Sequence, residues 1–76
     1  MDRTPVESSN LASYAYDADT QTMHVEFKGS GKVYAYSKVP REVINEFEQH
    51  VADPDKSAGS FFSRNIRNNY SAQPVA

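Results

Sequence analysis

The clearest pattern in the chain is a strict alternation of apolar and polar residues at positions 22–28. A period of two residues places successive side chains on opposite faces of a β-strand. Met23, Val25 and Phe27 would therefore face a core, and the polar residues between them would face solvent. The pattern predicts a half-buried strand.

Two further segments, 11–16 and 32–37, are rich in residues that favour strands. Turn-forming residues separate the three segments, at 17–19 before the central one and at 29–31 after it. Short turns join antiparallel neighbours, so the sequence predicts a three-stranded antiparallel meander. A sheet this small is barely stable alone and needs cover on one face.

A helical period follows the third predicted strand. Between positions 41 and 52 the apolar residues form a single stripe, composed of Val43, Ile44, Phe47 and Val51. Pro54 ends this helix, because proline disfavours the helical conformation at the residue before it. A second helix is predicted after the N-cap Ser57 and carries Phe62 and Ile66 one turn apart. The predicted fold class is α+β: a three-stranded antiparallel β-meander followed by two α-helices packed on one sheet face.

The chain has 76 residues, enough for one small domain. We predict a flexible arm at 1–5, a domain at 6–70 and a flexible tail at 71–76. The absence of cysteine excludes disulfides and thiolate metal sites, and His24 and His50 lie too far apart in sequence to indicate zinc. No apolar stretch approaches the roughly 18 residues of a membrane span, and the N-terminus does not resemble a signal peptide. We therefore expect a soluble, cytoplasmic domain that uses no metal or cofactor.

Charge is distributed unevenly along the chain, whose formal net charge is −2. Residues 1–55 carry five basic and ten acidic side chains, whereas residues 56–76 carry Lys56, Arg64 and Arg67 and no acidic residue. Such segregation produces a local positive potential that suits a polyanion. Alternatively, the arginines complement the dipole at the end of the second helix.

Two ordered sets of residues resemble the pattern of the KTSC domain family. The first set comprises Met23, Val25, Phe27, Gly31, Val33, Tyr34, Tyr36, Val39 and Pro40. The second set comprises Ser57, Gly59, Phe61, Phe62, Ile66, Arg67 and Tyr70. Together they extend the resemblance over nearly the whole chain.

The resemblance to KTSC domains implies a stand-alone member from a bacterium or a phage. KTSC domains also occur at the C-terminus of some lysyl-tRNA synthetases, and this context implies RNA as a ligand. The chain contains no synthetase catalytic domain, so the resemblance does not imply aminoacylation.

The start of the second predicted helix is a candidate anion site. Lys56, Ser57 and Gly59 would offer a phosphate an ammonium group, a hydroxyl and an accessible backbone. Because glycine is unfavourable inside a helix, Gly59 needs an explanation. It either packs closely against a tyrosine ring or allows a ligand to approach.

Arg64 and Arg67 lie three residues apart and so share one face of the second helix. They would contact a nucleic-acid backbone or the acidic surface of a protein. The alternative is a solvated face, or ion pairs with Glu46 and Glu48 of the first helix.

Tyr34 and Tyr36 share one face of the third predicted strand. They would form a base-stacking platform flanked by Lys32 and Lys38, as in proteins that bind single-stranded nucleic acids. Alternatively, both rings pack beneath the helices as part of the core. The register that decides between these interpretations is not encoded locally.

Catalysis has little support in the sequence. A nucleophile needs an activating base that a third group holds in place. His24 and His50 have no evident partner of this kind, and Asp17 and Asp19 are typical turn formers. The sequence therefore predicts a non-catalytic module, monomeric or weakly dimeric, that binds RNA, a nucleotide or another phosphate-bearing ligand. The alternative is a protein-interaction module such as an adaptor or an inhibitor.

Overall fold

The computed structural model describes residues 3–75, which form one antiparallel sheet covered by two helices. The five strands follow one another in the sheet in chain order, and each pairs antiparallel with the next. In chain order the elements are β1 (Thr4–Pro5), β2 (Leu11–Asp17), β3 (Thr22–Phe27), β4 (Val33–Tyr36), α1 (Arg41–Ala52), α2 (Ala58–Asn65) and β5 (Ala72–Val75). The α+β class and the two helices agree with the prediction.

The predicted number of strands was wrong, because the sheet has five strands rather than three. The two additional strands lie in segments that the sequence assigned to the arm and the tail. In β1, Thr4 pairs with Tyr14, and in β5, Val75 pairs with Val33. Both strands are short and lack apolar alternation, so their pairing depends on the edges that β2 and β4 present.

The bounds of both helices coincide with capping and helix-breaking residues in the sequence. The helix α1 begins directly after Pro40, which has an extended backbone, and its last turn leads into Asp53. The helix α2 begins after Ser57, whose hydroxyl accepts a 3.1 Å hydrogen bond from the Ser60 amide. This bond satisfies one of the free amides in the first turn, so Ser57 is the predicted N-cap. Beyond Asn65 the chain turns rather than continuing as a helix.

The core lies between the helices and one face of the sheet. The sheet contributes Leu11, Tyr14, Met23, Val25 and Tyr36, and the helices contribute Ile44, Phe47, Phe61 and Phe62, with Ile66 just after α2. Phe62 is fully buried, and its ring packs edge-on against Phe27 and Tyr36 at centroid distances of 5.8 and 5.3 Å. The alternation in β3 agrees with the prediction, since Met23 and Val25 are buried.

The opposite face of the sheet carries small and polar side chains, among them Ser13, His24 and Glu26. The Ser13 hydroxyl donates a 2.8 Å hydrogen bond to the Glu26 carboxylate, which also lies 3.9 Å from the Arg3 guanidinium. In the described part of the chain, neither helix is long and apolar enough to cross a bilayer.

Candidate functional site

A depression of about 570 Å³ lies where the β3–β4 hairpin meets the turn that follows α2. We call it the basic cleft, because its charged lining consists of Lys28, Lys32 and Arg67. Within residues 3–75, no aspartate or glutamate lines it. The hairpin and the turn after α2 thus bring together cations from distant parts of the chain.

Aromatic rings form another part of the lining. Phe27, Tyr34 and Tyr36 all border the basic cleft, and the Phe27 and Tyr34 rings meet edge-on at 5.7 Å. Tyr36 is only 4% exposed, whereas Tyr34 is partly exposed. A base could therefore contact the Tyr34 ring, while Tyr36 belongs mainly to the core.

The strand register resolves the two interpretations of the tyrosine pair. Tyr34 lies opposite Val25 and Tyr36 lies opposite Met23, so both rings share the face that the helices cover. Tyr36 is a core residue, as the second of the two interpretations predicted. Tyr34 lies at the margin of the core, where its ring also faces the basic cleft.

The Arg67 guanidinium acts electrostatically on the Tyr36 phenol. Burial raises the pKa of Tyr36 above its usual value, and the Tyr34 phenol nearby adds to this rise. The positive charge of Arg67 opposes this rise in the pKa, and Arg67 and Tyr36 both line the basic cleft. The cleft therefore places a guanidinium beside aromatic rings.

The cations of the basic cleft are exposed and make no ion pair within the described residues. The predicted alternative, in which Arg64 and Arg67 pair with Glu46 and Glu48, does not occur. Among residues 3–75 the ion pair that forms joins Arg3 to Glu26 on the opposite sheet face. The charges of Arg64 and Arg67 thus remain available to an external anion.

The Glu48 carboxylate bonds to a tyrosine of β2 rather than to an arginine of the predicted site. The Tyr14 hydroxyl donates a 2.8 Å hydrogen bond to the Glu48 carboxylate and so joins β2 to α1. Burial and this acceptor raise the pKa of Tyr14 to about 12. The Tyr14–Glu48 bond is a structural contact rather than part of the cleft.

Three of the predicted site residues lie at a second depression, of about 340 Å³, beside the start of α2. Lys56, Ser57 and Arg64 line it together with His50 and Phe61, and we call it the His50 cleft. The His50 ring lies 4.6 Å from the Phe61 ring, and its Nδ1 lies 2.8 Å from the Glu46 carbonyl. Because a carbonyl only accepts, Nδ1 is the donor in this hydrogen bond.

Gly59 is buried, and its neighbours are the side chains of Ser8 and Asn10 in the loop before β2. A Cβ atom at position 59 would lie 2.7 Å from Ser8 Oγ and closer still to Asn10 Oδ1. Packing therefore explains the glycine, but the packing partner is not the tyrosine ring that the sequence suggested.

The predicted site residues divide into two groups. Tyr34, Tyr36 and Arg67 meet at the basic cleft, whereas Lys56, Ser57 and Arg64 meet at the His50 cleft. The predicted site did not include Lys28, Asn10 and His50, which line the two clefts. Their positions relative to the cations depend on the turn geometry of the folded chain, which no local pattern encodes.

The comparison with protein families matches residues 7–70 to the model described as KTSC domain. A KTSC domain protein from Yersinia pestis, known from its crystal structure, has the same fold. Its TM-score is 0.86 at 29% sequence identity, over 99% of this chain and 97% of that chain. The resemblance stated from the sequence is confirmed.

Curated relatives include two larger enzymes. The lysine–tRNA ligase of Trichormus variabilis is 34% identical over 70 residues, and that of a Nostoc species is 33% identical over 70 residues. Each match covers 92% of this chain but only 11% of the ligase. An uncharacterized protein of Stutzerimonas stutzeri is 46% identical over 44 residues, which cover 58% of this chain and 61% of that protein.

Proposed function

Since the chain belongs to the KTSC domain family, we propose that it is a non-catalytic binding module whose ligand is RNA. The observation that carries the proposal is the basic cleft, where exposed cations without ion-pair partners in the described residues surround a partly exposed aromatic ring. Cations bind the backbone and rings stack on bases in proteins that recognise single strands.

The cleft offers a separate role to each kind of side chain. Lys28, Lys32 and Arg67 would bind phosphates, and the guanidinium would do so with two parallel hydrogen bonds. The exposed part of the Tyr34 ring would stack on a base. The side-chain amides of Asn10 and Asn68 can both donate and accept, so they would contact base edges or ribose hydroxyls.

The relatives supply independent support for RNA. Two of them are named as lysine–tRNA ligases, enzymes that act on a tRNA, and this chain aligns with a small part of each. The proposal transfers RNA binding alone, because the ligases are far longer than the matched segment.

The environment of the candidate groups supports a binding role without catalysis. His24 lies on the open sheet face, away from the basic cleft, and the Nδ1 of His50 is bonded to a backbone carbonyl. Among residues 3–75, neither histidine is hydrogen-bonded to both a nucleophile and an orienting group, which is the arrangement that nucleophilic catalysis needs.

Fluorescence anisotropy with a labelled single-stranded RNA octanucleotide tests the proposal. We expect affinity to fall steeply as salt is added, because phosphate contacts release counterions. Lys32→Gln and Arg67→Gln should each weaken binding and lower the salt slope by about 1.

Lys38 was predicted to flank the tyrosine pair, but in the structure it is exposed and does not line the cleft, so Lys38→Gln is the matched control. The RNA affinity of this variant should equal that of the unsubstituted protein. Absence of RNA binding at low salt, or equal loss in the control, would contradict the proposal. Recovery of a stoichiometric protein partner without nucleic acid would support an interaction module instead.

A further inference from the structure

The basic cleft does not end at Asn10. A shallow depression of about 310 Å³, which we call the middle groove, begins at this residue and runs beside α2 to Ser57, Ser60 and Arg64. Asn10 also lines the basic cleft, and Ser57, Ser60 and Arg64 also line the His50 cleft. Because each depression shares lining residues with the next, the three adjoin one another as a path along α2.

From this continuity we propose that the ligand is an extended single strand that occupies the whole path, rather than a mononucleotide held in one cleft. The inference rests on the proposed function, because it takes the basic cleft as an RNA site. It adds a second phosphate-binding region at the His50 cleft and a minimum length for the ligand.

The charges along the path have one sign. Lys28, Lys32 and Arg67 lie at one end, and Lys56 and Arg64 lie at the other. Among the described residues, none of the side chains that line the path is acidic. Because the whole chain has a formal net charge of −2, this concentration of positive charge distinguishes the path from the rest of the surface.

The middle groove is neutral apart from Arg64. Its other polar side chains are hydroxyls and amides, including Ser9, Ser60 and Ser63. Such groups can bond to phosphate or ribose without adding charge. The path thus has cationic side chains at each end and, between them, Arg64 among hydroxyls and amides, which suits an anion with several phosphates.

Each end also has aromatic rings. Tyr34 borders the basic cleft, and the His50 and Phe61 rings pack together at the other end. Beyond His50 acidic side chains appear, since the adjoining depression is lined by Glu7 and Asp53 as well as by Lys56. These carboxylates would repel phosphates, so the path ends there.

The length of α2 sets the scale of the ligand. Eight helical residues extend about 12 Å, and stacked nucleotides advance about 3.4 Å each, so roughly four nucleotides span the middle groove. A dinucleotide would therefore occupy the basic cleft alone. An octanucleotide would reach both ends and bind more tightly.

Anisotropy measurements with labelled RNA of two, four and eight nucleotides test the path. The variants are the distal pair Lys56→Gln/Arg64→Gln, the cleft pair Lys32→Gln/Arg67→Gln, and the control Lys38→Gln. All these positions are exposed, so the variants should fold, and circular dichroism melting is the check.

We expect the octanucleotide to bind at least tenfold more tightly than the dinucleotide. The distal pair should weaken octanucleotide binding about tenfold and lower its salt slope by about 2, while it leaves dinucleotide binding unchanged. The cleft pair should weaken both ligands.

The outcomes separate the two proposals. If no RNA of any length binds, the proposed function itself fails. If both lengths bind equally, or the distal pair leaves octanucleotide binding unchanged, the path fails and the basic cleft alone survives. If an oligoglutamate peptide competes as well as RNA of equal charge, the nucleic-acid assignment is overturned.

Discussion

Gly59 of α2 packs directly against the Asn10 side chain of the loop before β2. Asn10 in turn accepts a 2.9 Å hydrogen bond from the Ser8 hydroxyl, which also accepts from the Leu11 amide at 3.4 Å. The absence of a side chain at position 59 thus lets this loop lie on the helix, where it forms one wall of the path.

Because of the contact between Gly59 and Asn10, we expect Gly59→Ala to change the stability of the protein in opposite directions in two backgrounds. Gly59→Ala should destabilise the protein by on the order of 1 kcal/mol, because the new methyl group displaces Asn10 and Ser8. In a Ser8→Ala/Asn10→Ala background the same change should stabilise by up to about 1 kcal/mol, since alanine is the better helix former.

Urea unfolding of the four proteins gives the coupling directly. If Gly59→Ala has the same effect in both backgrounds, the loop contact is not the reason for the glycine.

The Tyr14–Glu48 hydrogen bond predicts a change of stability at high pH. The pKa of Tyr14 is raised from 10.0 to about 12 in the folded protein. The neutral phenol therefore stabilises the fold fully below pH 10, and this stabilisation is lost as the pH rises from 10 toward 12. The loss is at most about 1.4 kcal/mol per pH unit.

Tyr14→Phe is the informative variant. It should lower the free energy of unfolding by about 0.5–1.5 kcal/mol at neutral pH, because the hydrogen bond is lost. Its stability should also fall less steeply than that of the parent above pH 10. The free energy of unfolding is measured by chemical unfolding at each pH. If it depends on pH in the same way in the two proteins, Tyr14 does not titrate as described.

The helices could be predicted from the sequence because their signals are local. The apolar stripe and Pro40 define α1, and Ser57 caps α2. The strand β5 could not be predicted, because it contains Pro74 and has no apolar alternation. It exists because β4 offers a free edge, and that edge is a property of the assembled sheet.

The candidate site could be predicted only in part, for a similar reason. The clustering of Lys56, Arg64 and Arg67 at the end of the chain indicated a positive surface. The sequence joined these residues in one site, whereas the fold places Arg67 with Lys28 of the hairpin. Whether Arg67 lies near Lys28 depends on how the turn after α2 contacts the sheet, and no periodic pattern in the sequence encodes that contact.

The position of Tyr34 predicts how RNA affinity depends on its ring. Stacking contributes about 1–3 kcal/mol per base, so Tyr34→Ala should weaken RNA binding about tenfold or more. Tyr34→Phe keeps the ring and should retain most of the affinity, measured by the same anisotropy assay. Melting curves must show that both variants are folded, since the Tyr34 ring also packs on Phe27. Equal affinity of Tyr34→Ala and the parent would remove stacking from the proposal.

The Phe62 ring predicts the most severe effect on stability. It is fully buried and contacts both Phe27 and Tyr36, which border the basic cleft. Phe62→Ala should cost about 3–5 kcal/mol, a large fraction of the roughly 5–15 kcal/mol that stabilises a small domain. Phe62→Leu, which keeps most of the volume, should cost less than half as much in thermal unfolding. Similar losses for the two variants would indicate that shape matters more than volume here.

The register of β5 predicts where proline is tolerated. The Ser37 amide donates to the Ser71 carbonyl at 2.9 Å, and Ala35 pairs with Gln73 in the same ladder. Hydrogen-bonded pairs alternate in an antiparallel ladder, so the Gln73 amide points toward β4 and the nitrogen of Pro74 points away from it. Pro74 therefore breaks no bond, and its lack of an N–H also limits pairing of the free edge with another strand.

Gln73→Pro should lower the free energy of unfolding by about 1–3 kcal/mol, because the facing carbonyl of β4 loses its donor. Ala72→Pro is the matched control, since the Ala72 amide points outward like the nitrogen of Pro74. We expect it to change stability by less than about 0.5 kcal/mol. Both values come from chemical unfolding monitored by tyrosine fluorescence. If Ala72→Pro destabilises more than Gln73→Pro, the ladder has the opposite parity, and the β4–β5 hydrogen-bonding pattern described above is wrong.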